Sequence, residues 1–187
     1  NFSMRYILLF LATFISYFSF AQSNIDVLHY KYLIDVNDDN DTIYGLSIIR
    51  FISNLNSSSV EFDLTNLEDK KGMTITDIML LKDNPPKLIY THTLNKIIIT
   101  TDLRKGDTTN LRVIYKGIPA DGLIISKNKY GNRTFFADNW PDRGHNWLPC
   151  NDDPADKATV EFIVTAPQHY QVVSNGVMIE ETNLINN

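Results

Sequence analysis

The chain has 187 residues, 43% of them apolar and 21% charged, with a net charge of −5. That is enough for one domain with a real core, or a domain plus an extension, and the composition is that of an ordinary globular protein. Lys and Arg are dispersed, so no basic stripe points to nucleic acid, and no long acidic run marks a solvating tail.

The first element in the chain is a leader. Met4-Arg5 gives a short positive start, and Tyr6 to Phe20 is apolar apart from Thr13, Ser16 and Ser19. Ser19-Phe20-Ala21 has the small-x-small pattern of a signal-peptidase site. Residues 1–21 therefore read as a signal peptide with a few upstream residues, and Gln22 as the new first residue. A membrane anchor competes with this reading, but a run of about 15 residues is short for a span that needs roughly 20, and no basic cluster follows it. The protein is expected to be secreted or periplasmic, with no stable membrane span. Cys150 is the single cysteine, so no internal disulfide can form and stability must come from the core.

Residues 22–187 read as one all-β domain, an antiparallel sandwich or a saddle-shaped sheet. Leu28, Tyr30, Tyr32, Ile34 and Val36 alternate with His29, Lys31, Leu33 and Asp35, which predicts a half-buried strand with the first set inward. Residues 37–41 gather oxygen ligands but lack the central Gly and closing Glu of an EF-hand, and read as a solvated hairpin tip. Residues 43–51 are apolar on both faces, as in a central strand. Further strands are expected over 60–64, 73–81, 87–90, 96–100, 108–115, 123–126, 133–136 and 158–164. Asn175-Gly176 lies between residues 170–174 and 177–181, a strong signal for a two-residue hairpin. No useful helix is expected after the leader, and no internal repeat is visible.

Residues 135–157 interrupt this pattern. They hold both tryptophans, the only cysteine and three of the seven prolines. Pro141 and Pro154 push the residues before them out of helical geometry. Two readings stand side by side. Trp140, Trp147 and Leu148 could plug the end of the sandwich, or the loop could touch a substrate. Cys150, beside Pro149, reads as a buried structural thiol rather than a nucleophile. Asp152, Asp153 and Asp156 read as turn formers and ion-pair partners. The four histidines are scattered. There is no His-Glu-x-x-His, no Gly-x-Ser-x-Gly elbow and no glycine-rich phosphate loop.

Leu148-Pro149-Cys150-Asn151-Asp152-Asp153-Pro154-Ala155-Asp156-Lys157-Ala158 resembles the Phe-Pro-Cys-x-Asp-Glu-Pro-x-x-Lys-Ala segment of aminopeptidase N-type zinc metallopeptidases, in their amino-terminal domain. Tyr32-Leu33-Ile34-Asp35 with Tyr44-Gly45 resembles that domain's first hairpin. Val60-Glu61-Phe62-Asp63-Leu64, Tyr115-Lys116-Gly117 and Val173-Ser174-Asn175-Gly176 resemble later landmarks, in order. The match runs over residues 27–182. The resemblance implies a β-rich domain packed on a thermolysin-like catalytic domain beyond residue 187. That domain would carry the zinc helix, the Gly-x-Met-Glu-Asn loop and a transition-state tyrosine. It implies a fragment of an exported enzyme that removes the first residue of peptide substrates, with zinc in the parent enzyme and no activity in this piece alone.

The same resemblance implies a Gln or Glu ten positions before the loop cysteine that helps hold the substrate's free amine. Trp140 stands there, and Asp138 lies two residues earlier, where many relatives carry Gln. Asp138 is the candidate anionic contact for the amine, with Trp140 walling the first side-chain pocket. The bland alternative makes Asp138 a loop cap and Trp140 core. Arg143 and His145 fall where the family shows Ala-Arg, and Arg143 reads as a brace. A separate function class also fits: a secreted β-sandwich binding or adhesion module, whose Trp and Tyr around residues 130–147 stack on sugars.

Overall fold

In the computed structural model, residues 24–184 are described. The signal-peptide reading of residues 1–21 lies outside the described residues. The strands are β1 (Ile25–Asp35), β2 (Ile43–Ser53), β3 (Ser57–Asp63), β4 (Gly72–Leu80), β5 (Ile89–Thr93), β6 (Lys96–Leu103), β7 (Thr108–Ile118), β8 (Leu123–Lys127), β9 (Arg133–Ala137) and β10 (Thr159–Thr165). One 3-10 turn, Gly144–Asn146, is the only helical element among the described residues. No helix there is long and apolar enough to cross a membrane.

Five strands form one sheet in the order β10-β1-β2-β7-β4, three form a second in the order β3-β6-β5, and β8 pairs with β9. Every pairing is antiparallel except one. β10 runs parallel to β1, from Thr159 opposite His29 to Thr165 opposite Asp35. The mixed edge departs from the purely antiparallel expectation. A parallel neighbour cannot be reached by a tight turn, and here β2 to β9 all lie between β1 and β10 in the chain.

One core fills the space between the two larger sheets. Val27, Ile49, Phe51, Leu111 and Val113 of the first sheet and Val60, Phe62, Ile97 and Ile99 of the second are all buried. Phe51 and Phe62 meet edge-to-face across that space, centroids 5.6 Å apart, the geometry that aromatic quadrupoles favour.

The alternation of β1 holds from Tyr32 onward and fails at its start. A register shift between Val27 and His29 marks a bulge against β2. The extra residue reverses which side chains point inward, so Val27 is buried and Leu28 turns outward. β2 lies between β1 and β7, as its two-faced apolar sequence predicts. Its inner face carries Gly45 because the Tyr115 ring lies directly against that backbone. A Cβ there would stand 2.2 Å from Tyr115 Cζ.

The expected hairpin at Asn175-Gly176 does not form as strands. Gly176 has a positive φ of 92°, but residues 166–184 carry no strand. Val173, Val177, Met178 and Ile179 are exposed. Two short strands with no sheet beneath them gain too little burial to hold together.

Candidate functional site

The loop from Asp138 to Lys157 divides into an anchored half and an open half. The anchored half begins at the 3-10 turn. Trp147 and Leu148 donate their N–H groups to Gly144 O at 3.2 and 3.0 Å, which points both side chains into the core. Trp147 Nε1 donates to Asn139 Oδ1 at 2.9 Å, so its one polar atom is satisfied. Trp147 and Leu148 are thus the plug that the loop's composition suggested. Trp140 is not part of it, being 78% exposed.

The next residues are bolted to β1 and β3. Tyr32 Oη donates to Pro149 O at 3.0 Å, and Asn151 N donates to Tyr30 Oη at 2.8 Å. Tyr30 and Tyr32 stack 5.5 Å apart, so the two hydroxyls form one platform under the loop. Burial pushes both phenols above their usual range. Cys150 exchanges backbone hydrogen bonds with Asp63. Its thiol is buried and held mainly by desolvation well above the usual range, with Asp152 and Asp63 adding to the effect. Its burial is what a structural thiol requires.

The three aspartates of the motif have separate structural tasks. Asp152 Oδ2 accepts from His145 N at 3.1 Å and lies 2.7 Å from His145 Nδ1. Asp152 N donates to Asp63 Oδ2 at 3.0 Å, and Asp63 pairs with Lys96. Asp153 closes its own turn by accepting from Ala155 N at 2.9 Å. Asp156 accepts from Val27 N at 3.1 Å and from Asn151 Nδ2. Burial raises the Asp156 pKa, and those two donors oppose the rise. Among the described residues no three of His, Cys, Asp or Glu converge to hold a metal ion. These residues do not form a zinc site.

The open half is residues 138–143. Asp138 N donates to Gly122 O at 2.8 Å, which ties the loop to the start of β8. The Asp138 carboxylate is paired with the Arg143 guanidinium. Arg143 Nε donates to Trp140 O at 2.7 Å, and another guanidinium nitrogen lies 3.6 Å from Asp121 Oδ1. Arg143 therefore joins the Asp138 carboxylate to the Trp140 main chain, while the Trp140 indole is open to solvent. Phe136, 62% exposed, and Ile124 pair across β8 and β9 nearby in sequence. Sequence reasoning saw Arg143 as a brace but missed Asp121 as its second acid. The Asp121-Gly122 turn looked like any other loop.

Comparison with known proteins places this architecture. The model of the peptidase M1 N-terminal domain matches residues 27–187. This chain belongs to the peptidase M1 N-terminal domain family. A zinc metallopeptidase of the M1 class from Deinococcus radiodurans has a similar structure, with a TM-score of 0.69 and 27% identity over 87% of this chain and 37% of that one. A point mutant of that class from the same organism gives 28% identity and a TM-score of 0.61, covering 78% and 33%. A two-domain M1 zinc metallopeptidase mutant bound to L-arginine shares the fold at a TM-score of 0.68, with 24% identity over 86% of this chain and 37% of that one. No curated protein matches. The chain spans about a third of the length of these solved structures. The family and the β-rich fold agree with the motif resemblance.

Proposed function

We propose that this chain is the amino-terminal part of an exported zinc aminopeptidase. In that enzyme it packs on a catalytic domain, and its 138–143 loop helps shape the site for a peptide's free amino terminus. The observation that carries this is the family match over residues 27–187, joined to structural likeness with zinc metallopeptidases at 27% identity. Export is supported by the apolar run Tyr6 to Phe20 behind Met4-Arg5. Zinc belongs to the catalytic domain in this proposal. The role proposed for Asp138 is supported by its carboxylate and by an exposed indole two residues away in the same loop, groups suited to an ammonium.

The test is expression of the full-length gene product, with release of chromophore from aminoacyl p-nitroanilides followed before and after chelation. Activity lost on chelation and restored by zinc supports the proposal. A purified, folded full-length protein without such activity overturns it. Residues 1–187 alone are expected to be inactive under both conditions. A second reading, a sugar-binding module, is favoured by the exposure of Tyr130, Phe136 and Trp140. Retention of the protein on polysaccharide resin, lost in Trp140→Ala, would support that reading instead.

A further inference from the structure

We infer that Arg143 is the positioning residue of the amine-binding loop, fixing the Asp138 carboxylate against the Trp140 main chain. The inference rests on the functional reading above. Arg143 faces three acceptors on two segments of chain, two in its own loop and one before β8. Its Nε holds the Trp140 carbonyl at 2.7 Å, one terminal nitrogen holds Asp138 Oδ2, and the other lies 3.6 Å from Asp121 Oδ1. A planar guanidinium offers donors in several fixed directions at once, and an ammonium does not.

The backbone supports the same arrangement. Arg143 N donates to Asn139 O at 3.0 Å, closing the loop under its own side chain. Asp121 is held by its own turn, since its Oδ1 accepts from Gly122 N at 2.8 Å. Gly122 has a φ of 76°, and a Cβ on it would stand 2.3 Å from the Arg143 carbonyl oxygen. Only glycine lets the Asp121 turn approach this closely. Asp138 in turn is fixed to Gly122 O through its N–H. Asp121 by its carboxylate and Asp138 by its backbone N–H are thus tied to the start of β8, and Arg143 spans the gap between that strand and Trp140.

Such partly exposed ion pairs add little to global stability. Their effect here is on where Asp138 and Trp140 stand relative to each other. Arg143 is bonded to both residues that the proposal gives to the substrate. It acts through them and not by contact with the scissile bond.

The experiment uses the full-length protein with an aminoacyl p-nitroanilide, comparing Arg143→Ala, Arg143→Lys, Asp138→Asn and the double variant Arg143→Ala/Asp138→Asn. Arg143→Ala should raise KM by about tenfold, the fold-change of one lost charge-assisted hydrogen bond, with kcat changing less. Arg143→Lys should fail to restore KM, and millimolar guanidinium should partly rescue Arg143→Ala. In the Asp138→Asn background, Arg143→Ala should add little, because its effect is exerted through that carboxylate. Additive effects, or a wild-type KM in Arg143→Ala, would overturn the inference. A second readout separates it from the functional reading. With fluorotryptophan in the full-length protein, Arg143→Ala should shift the Trp140 resonance and leave that of Trp147 in place. An unmoved Trp140 signal removes the clamp whatever the activity. A shifted signal in a protein without peptidase activity keeps the clamp and removes the enzyme.

Discussion

Gly45→Ala tests how tightly the first sheet is packed where Tyr115 crosses it. The new methyl carbon would lie 2.2 Å from Tyr115 Cζ and 2.6 Å from both Cε atoms. Carbon atoms rest about 3.5–4.0 Å apart, so the ring or the strand must move by more than about 1 Å. Tyr115 is 1% exposed, so the ring has no solvent to swing into. Overpacking of this kind costs about 1–3 kcal/mol. Alanine also restricts the unfolded chain, which offsets about 0.4–1 kcal/mol. The net effect is a loss of roughly 1–2 kcal/mol, or about 2–8 °C in Tm at this chain length. Thermal unfolding followed by circular dichroism measures it. The double variant Gly45→Ala/Tyr115→Leu should lose less than the two single changes added together, since the leucine vacates the contested space. A Gly45→Ala protein that melts with the wild type would refute the close approach of ring and backbone.

Three further outcomes follow from the same geometry. Tyr32→Phe leaves the Pro149 carbonyl without its buried donor and should cost about 1–3 kcal/mol, seen as a lower urea midpoint with a red shift of Trp147 emission. His92 has a pKa lowered from 6.5 by burial, with its hydrogen bond to Leu64 O opposing the shift. The fold therefore prefers the neutral ring. The contribution is present above 6.5 and is lost as pH falls through the lower folded-state value, so His92→Gln should reduce the loss of stability between pH 7.5 and pH 5, measured by urea unfolding. Amino-terminal sequencing of protein exported from its native host should begin at Gln22, and a sequence that begins at Met4 would remove the signal-peptide proposal.

Much of the fold could be read from hydrophobic period alone. Residues 43–51 are apolar on both faces, as a sheet interior requires, and β2 lies inside the five-stranded sheet. Leu28 was misplaced because a bulge is a local count of residues opposite a partner strand, and no single strand's sequence contains that count. The hairpin at Asn175-Gly176 shows the opposite limit. Its turn chemistry is correct, but turn chemistry does not supply a surface for Val173 and Val177 to bury against. In the loop, the motif announced that something held residues 149–156, but not what did. Tyr30 and Tyr32 lie 121 and 117 residues from the groups they bind, a separation that leaves no local trace. Asp138 and Trp140 were named from a resemblance, whereas the Arg143 bridge between them needed coordinates.

The parallel seat of β10 beside β1 has a practical consequence for handling the protein. Cleavage anywhere between β9 and Thr159 would strip the outer row of hydrogen bonds from residues 29–35 of β1. A bared sheet margin of that length is a template for other chains, so such clipping should yield self-association before it yields unfolding. A shortened chain keeps this margin paired only if it extends through Thr165.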